Sequence, residues 1–376
     1  MISPEIFFQA LRANGVTKFS GVPDSLLKSF CAYVSDHSAS ADHTITANEG
    51  SAVALAAGQY IATGQPSMVY LQNSGLGNTL NPLLSLADPL VYSVPMLLMV
   101  GWRGEPGVKD EPQHVKQGAV MEALLDACEI PYRVLTADEK DVAEVVKNMA
   151  ALSRAKKCPV VILVKKNTFE SYKLQSSEAN IYEMTREDAI TEVVNRCDER
   201  DLFVSTTGMS SRELFEIRVR NGQSHERDFL TVGSMGHASM IALGIADCRP
   251  NQRVVCLDGD GASIMHLGNI TTLGQSEANN LIHIVLNNGA HDSVGGQPTC
   301  AYDINLPDIA KSSGYAAVLS ISHINAIAPA IEKCSEGTGP YFIEIKIKKG
   351  ARDDLGRPTS SPKDNIKAMI DFIASE

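Results

Sequence analysis

Short apolar runs alternate along this chain with stretches whose apolar residues recur at helical spacing. An amphipathic helix is predicted at 3–14, stopped by Gly15, then a short strand at 16–20. The first half continues with a helix at 26–34, a strand at 44–47, an Ala-rich helix from Asn48 and a strand at 67–72. A helix at 79–87, a strand at 95–100, a helix at 118–128, a strand at 130–135, a helix at 138–153 and a strand at 160–165 complete it. Periodicity then weakens in a polar stretch, which reads as a linker. The alternation resumes with a helix from 185 to about 197, a strand at 202–205, a helix at 212–219 and a strand at 228–232. Further strands are predicted from 255, at 281–286 and at 341–347. Strands alternating with helices predict an α/β chain with parallel sheets. A chain of 376 residues exceeds one typical core. The expected organisation is two doubly wound domains, 1–166 and 185–376, with a linker at 167–184 and no room for a middle domain.

The stretch 255–296 carries the most specific chemistry. Its first apolar run turns sharply through Gly259-Asp260-Gly261, and the next ends in Asn287-Asn288-Gly289. In a parallel sheet both turns leave the carboxyl ends of neighbouring strands, where ligands bind. The 25 residues between them, 262 to 286, suffice for one crossover helix and one strand. A carboxylate beside a carboxamide offers hard oxygen ligands that suit Mg²⁺ or Ca²⁺. Glycines let the backbone approach a diphosphate, and the following helix start offers N–H groups to it.

Composition narrows the class. Hydrophobic content of 44% and charged content of 20% are ordinary for a globular protein. A net charge of −11 argues against nucleic-acid or polybasic membrane partners, so an anionic substrate needs local cations. The eight cysteines show no C-x-x-C pair, which suits reduced thiols rather than a disulfide frame, zinc site or iron–sulfur cluster. The first residues lack a signal-peptide pattern, and the longest apolar run, near 94–101, is too short to span a bilayer. A soluble, cytoplasmic enzyme is expected.

The GDG-x25-NN unit resembles the diphosphate and metal motif of thiamine diphosphate enzymes. The resemblance implies a pyrimidine-binding domain at 1–166, a diphosphate-binding domain at 185–376, and thiamine diphosphate with Mg²⁺ as cofactors. It implies metal ligation by Asp260, Asn288 and the Ala290 carbonyl, and cofactor contacts from Gly259, Gly261, Ala262, Ser263 and Asn288. The turn after the strand at 202–205 adds Ser210. Gly233-Ser234-Met235-Gly236 is similar to the second cofactor signature, in which Met235 wedges between the two rings and the Gly233 and Met235 backbone holds the pyrimidine. Asn48-Glu49-Gly50 before an Ala-rich helix matches the family's glutamate, which implies that Glu49 bonds N1′ of the aminopyrimidine and drives deprotonation of C2. Asp24 either caps the helix after it or projects into the site. Asn73, Ser74 and Asn78 lie in a Gly-rich turn that either only links strand to helix or touches substrate. The long polar loop predicted at 105–118, with Arg103 just before it, carries His114 and the cations an anionic substrate needs. Arg357, in the basic C-terminal segment, either binds the anion or is solvated. The segment 291–299 is a candidate flexible lid.

Across the whole chain, GVPDSLL, ANEGSAVALAAG, GWRGEPGVKDEPQHVKQG, HDSVGGQPT and DLGRPTSSP resemble the phosphonopyruvate decarboxylases, with the sulfopyruvate decarboxylases next to them. Non-oxidative decarboxylation of an anionic 2-oxoacid follows as the expected reaction, with Glu49, Asp24 and His114 handling protons. Carboligation and a noncatalytic subunit are the alternatives. The resemblance also implies a homo-oligomer with active sites between subunits.

Overall fold

The computed structural model describes residues 1–176 and 179–375; Ser177 and Glu178, inside the predicted linker, lie outside the described residues. The chain divides into two compact units, Met1–Ser177 with Val294–Gln297, and Glu178–Ser293 with Pro298–Glu376.

The first unit opens with α1 (Pro4–Ala13), β1 (Phe19–Gly21), α2 (Lys28–His37), β2 (His43–Ile45) and α3 (Glu49–Thr63). It continues through β3 (Met68–Gln72), α4 (Leu76–Pro82), β4 (Met96–Gly101), α5 (Pro112–Ala119), α6 (Met121–Ala127), β5 (Tyr132–Leu135), α7 (Val142–Lys156) and β6 (Pro159–Val164). Its six strands are all parallel, in the order β2-β1-β3-β4-β6-β5. β4 and β6 are buried throughout, which explains their unbroken apolar runs.

The second unit holds α8 (Arg186–Arg196), β7 (Leu202–Ser205), α9 (Met209–Arg220), β8 (Asp228–Leu230), α10 (Ala238–Cys248) and β9 (Val254–Gly259). After it come α11 (Asp260–Met265), α12 (Asn269–Gly274), β10 (Leu281–Asn287), α13 (Leu306–Ser313), β11 (Ala317–Ile321), α14 (Ile327–Glu336), β12 (Tyr341–Lys346) and α15 (Pro362–Ser375). This sheet is also parallel and runs β11-β12-β10-β9-β7-β8. Counted from its own first strand and read from the other edge, that order is 2-1-3-4-6-5, the topology of the first unit. Each sheet therefore reverses its winding once near its first strand, between β1 and β3 and between β7 and β9. A crevice opens at the carboxyl ends of strands at such a reversal.

Two expectations need correction. The loop predicted at 105–118 is interrupted by α5. Pro112 presets the first helical φ, and only His114 and Gly118 of the helix are buried, so its apolar periodicity is nearly invisible in sequence. The edge strand β11 escaped the pattern because its residues are mostly half-exposed. Among the described residues no helix is long and apolar enough to cross a membrane.

Candidate active site

In the first unit, Asn48 caps α3 through its side chain, accepting the Ser51 N–H at 2.9 Å, and Glu49 is the first helical residue. Glu49 is 5% exposed, and its Oε2 accepts the Asn78 side-chain N–H at 2.7 Å. Burial raises the Glu49 pKa, with the Asn78 bond opposing it. A methyl group on Gly75 would lie 2.1 Å from Glu49 Oε1, so the turn after β3 must be glycine there to admit the carboxylate.

Asp24 follows β1 and is fully buried. Its Oδ2 accepts the backbone N–H groups of Leu26 and Leu27 at 3.0 and 3.2 Å, and its Oδ1 accepts from Gln72 Nε2 at 2.6 Å. The structure therefore combines the two sequence readings: Asp24 caps the turn into α2 and stands at the β1–β3 reversal. Burial raises its pKa despite these bonds and the nearby Arg103. Gln72, the last residue of β3, went unnoticed in the sequence; it also accepts the Ser74 hydroxyl at 2.7 Å.

Arg103 sets its fork on Asp110, with Nε to Oδ2 at 2.8 Å and a second N–H to Oδ1 at 2.5 Å, and donates to Ser25 Oγ at 2.8 Å. Burial works against the Asp110 charge, but the Arg103 bonds and two backbone N–H groups hold its pKa well below the usual carboxylate range. Asn73 clamps the Arg103 backbone in both directions, at 2.8 and 3.1 Å. His114 on α5 is buried, and its Nδ1 has no hydrogen-bond partner among the described residues. Burial, and secondly Arg103, lower its pKa, so the ring is neutral at pH 7.

In the second unit, Asp260 begins α11 directly after β9 and is 3% exposed. The Thr299 hydroxyl donates to its Oδ2 at 2.5 Å. Asn288, one residue beyond β10, donates through Nδ2 to Asp292 Oδ2 at 2.6 Å and accepts the Ala290 N–H on Oδ1 at 3.0 Å. Asp292 also accepts from Arg186 at 3.4 Å, and Arg186 pairs with the buried Glu213 at 2.8 Å. Ser234 and Gly236 of the Gly-Ser-Met-Gly turn have φ of 52° and 84°. A methyl on Gly236 would come within 2.9 Å of the Ala262 carbonyl, so this turn packs onto the first turn of α11. Met235 is half-buried, Ala262, Ser263 and Ser210 are buried, and Gly259 ends β9. Thr206, just after β7, keeps a buried hydroxyl without a partner among the described residues. Arg357 lies exposed after β12, next to Gly356, whose N–H is donated to Glu216 of α9.

Residues 3–129 match the thiamine pyrophosphate enzyme N-terminal TPP binding domain, and residues 206–345 match the C-terminal TPP binding domain of the same enzymes. The chain is 33% identical to the phosphonopyruvate decarboxylase of Streptomyces viridochromogenes, over 100% of this chain and 96% of that protein. It is 33% identical to the phosphonopyruvate decarboxylase of Streptomyces hygroscopicus, over 99% and 94%. It is 27% identical to the sulfopyruvate decarboxylase of Methanosarcina acetivorans, over 99% and 98%. The chain belongs to the thiamine diphosphate enzyme family.

The residues present suit this family's cofactor, whose pyrophosphate and diphosphate names are synonyms. Burial, with Asp292 adding to it, pushes the Asp260 pKa up to about 6, and a buried carboxylate of this kind is chemically suited to a cation. Thr206 Oγ1 needs an acceptor such as a phosphate oxygen. Elsewhere in this thiamine diphosphate enzyme, Cys256, Asp258 and His283 also bring ligand atoms within 4.8 Å of one another. There both His283 nitrogens are engaged, with Tyr315 Oη at 3.0 Å and Asp258 Oδ2 at 3.3 Å, so the cluster is a closed polar network in the core.

Proposed function

We propose that this protein decarboxylates 3-phosphonopyruvate to phosphonoacetaldehyde and CO₂ without oxidation, using thiamine diphosphate and Mg²⁺. The observation that carries the reading is the likeness to phosphonopyruvate decarboxylases along the full length of both chains. On this reading residues 1–166 bind the pyrimidine and 185–376 the diphosphate, with 167–184 between them. Thiamine diphosphate, when bound, supplies the electron sink for loss of the carboxylate. The chain's own residues orient the reactants and move protons. Glu49 holds a shareable proton at its carboxylate, because burial favours the neutral form while Asn78 fixes one oxygen. Asp24 and the neutral imidazole of His114 are the proposed groups for later proton steps. Asp260 and Asn288 side-chain oxygens and the Ala290 carbonyl would hold Mg²⁺. Ser210 and the 259–263 turn would hold the diphosphate, and Gly233, Ser234 and Met235 the pyrimidine. Asn73, Ser74 and Asn78 line the proposed substrate side. Arg103 uses three of its N–H groups on Asp110 and Ser25, which fixes its plane for the phosphonate; Arg357 is the exposed alternative.

The proposed enzyme is a homo-oligomer with active sites between subunits. Exposed apolar residues of the first unit support assembly: Ile61 on α3 is 80% exposed, and Leu90 and Tyr92 are 95% and 70% exposed. A cytoplasmic location is supported by eight free cysteines.

The deciding experiment measures CO₂ and aldehyde released from phosphonopyruvate, sulfopyruvate and pyruvate, side by side, with cofactor and Mg²⁺ added. Preference for phosphonopyruvate is expected. Preference for sulfopyruvate keeps the chemistry and overturns the substrate, and no turnover of any of the three overturns the enzymatic reading.

A further inference from the structure

We infer that Asp292 and Thr299 are positioning residues for the divalent cation, holding the Asn288 carboxamide and the Asp260 carboxylate so that each presents one oxygen. The inference rests on the proposed metal role of Asp260 and Asn288.

The geometry fixes the Asn288 amide from both sides. A carboxyl oxygen that receives a hydrogen bond needs a donor, so Asp292 Oδ2, 2.6 Å away, faces the amide nitrogen. The Ala290 N–H, 3.0 Å from the other end, must face the amide oxygen. Rotating the amide by half a turn would set N–H against N–H and oxygen against carboxylate, and would offer the cation a nitrogen that cannot ligate. Asp260 is constrained in a similar way. The Thr299 hydroxyl takes Oδ2, and the Gly261 N–H also bonds the carboxylate, so its orientation is fixed from two directions.

Asp292 is itself anchored. It accepts the Gly350 N–H at 2.9 Å and an Arg186 N–H at 3.4 Å. The Glu213 carboxylate grips the other edge of Arg186 at 2.8 and 3.3 Å, and the two side chains are only 7% and 2% exposed. A charged chain thus runs from Glu213 on α9 through Arg186 at the start of α8 to Asp292, which holds the Asn288 amide just beyond β10. Asp292 lies within, and Thr299 at the base of, one turn that is closed by the Ala290–Pro298 bridge and by the Thr299 N–H on the Gly289 carbonyl at 3.0 Å. The stems of that turn and the two side-chain ligands form one hydrogen-bonded unit.

The test titrates Mn²⁺ into the full-length enzyme with thiamine diphosphate present and reads free Mn²⁺ by electron paramagnetic resonance. Asp292→Ala and Thr299→Ala are expected to raise the Mn²⁺ Kd about 10- to 100-fold. Asp292→Asn, whose carbonyl oxygen still accepts, and Thr299→Ser, which still donates, are expected to stay within about threefold of the parent. Loss of affinity in Asn288→Ala with parental affinity in both alanine variants leaves the metal site standing and overturns the inference. Parental affinity in Asn288→Ala overturns the metal site and the inference with it. Should the alanine variants fail to fold, Arg186→Lys keeps Asp292 in place but loosens its anchor. A severalfold weaker Kd in that variant supports the inference, and parental affinity overturns it.

Discussion

Asn78 donates its side-chain N–H to Glu49 Oε2 across 2.7 Å, tying the first turn of α4 to the first residue of α3. Burial raises the Glu49 pKa, so the folded protein favours the protonated acid. Stability from that form is present below the unfolded-state pKa and is lost as pH rises through the folded one. Ionised Glu49 therefore destabilises the cofactor-free protein at neutral pH. Glu49→Gln keeps the contact with Asn78 and removes the charge. Its cofactor-free melting midpoint is expected to exceed the parent's near neutral pH, with the gap closing towards about pH 4. Turnover is expected to fall by at least about 100-fold. A gap that ignores pH, or parental turnover, would remove Glu49 from its role.

Gly75 has no room for a side chain. Its added methyl would lie 2.1 Å from Glu49 Oε1 and 2.7 Å from Glu49 Cγ. Gly75→Ala is expected to cost about 1–3 kcal/mol in urea unfolding, the usual range for overpacking, and to displace the carboxylate. The second effect separates the site from the scaffold: the double variant Gly75→Ala/Glu49→Ala should recover stability without recovering turnover. Failure of the double variant to regain stability would show that the strain lies elsewhere.

Arg103 presents a planar fork that lysine cannot copy. If it holds the phosphonate, Arg103→Lys lowers kcat/KM for phosphonopyruvate about 10- to 100-fold, the range of a lost charge-assisted hydrogen bond or two. Pyruvate, which lacks the second anion, should lose much less. Equal losses on both substrates would instead mark Arg103 as a scaffold for the Asp110 loop, and Arg357→Ala would become the variant to assay.

Leu90, Val91 and Tyr92 form an exposed apolar run of the first unit, at 95%, 45% and 70% exposure. Leu90→Asp combined with Tyr92→Asp is expected to shift the sedimentation coefficient to a lighter species. An active monomer in the unmodified protein would refute assembly across this surface and the proposal of shared sites.

Much of this protein is legible in its amino-acid sequence. Buried parallel strands such as β4 and β10 are written as continuous apolar runs, because both of their faces need covering. Their regular alternation with helices gave the α/β class, and Gly259-Asp260-Gly261 with Asn287-Asn288 marked two strand ends that the register indeed makes neighbours. α5 and β11 were not legible, since a helix with two buried residues and an edge strand half in solvent leave little periodic trace.

The amino-acid sequence by itself determined the residue types at each strand end, and so the chemistry available there: carboxylates, a carboxamide, glycine turns and small helix starts. Only the tertiary structure decided which of them act together. Gln72 reached Asp24 from 48 positions away, and Thr299 reached Asp260 from 39. Asp292 joined Asn288 to Arg186, whose sequence neighbours gave no hint of a site. Spacing along a strand or helix is fixed by local backbone geometry, so a motif within one element can be read directly. Contacts between strand ends depend on strand order, and two sheets ordered 2-1-3-4-6-5 bring together residues that local rules leave far apart.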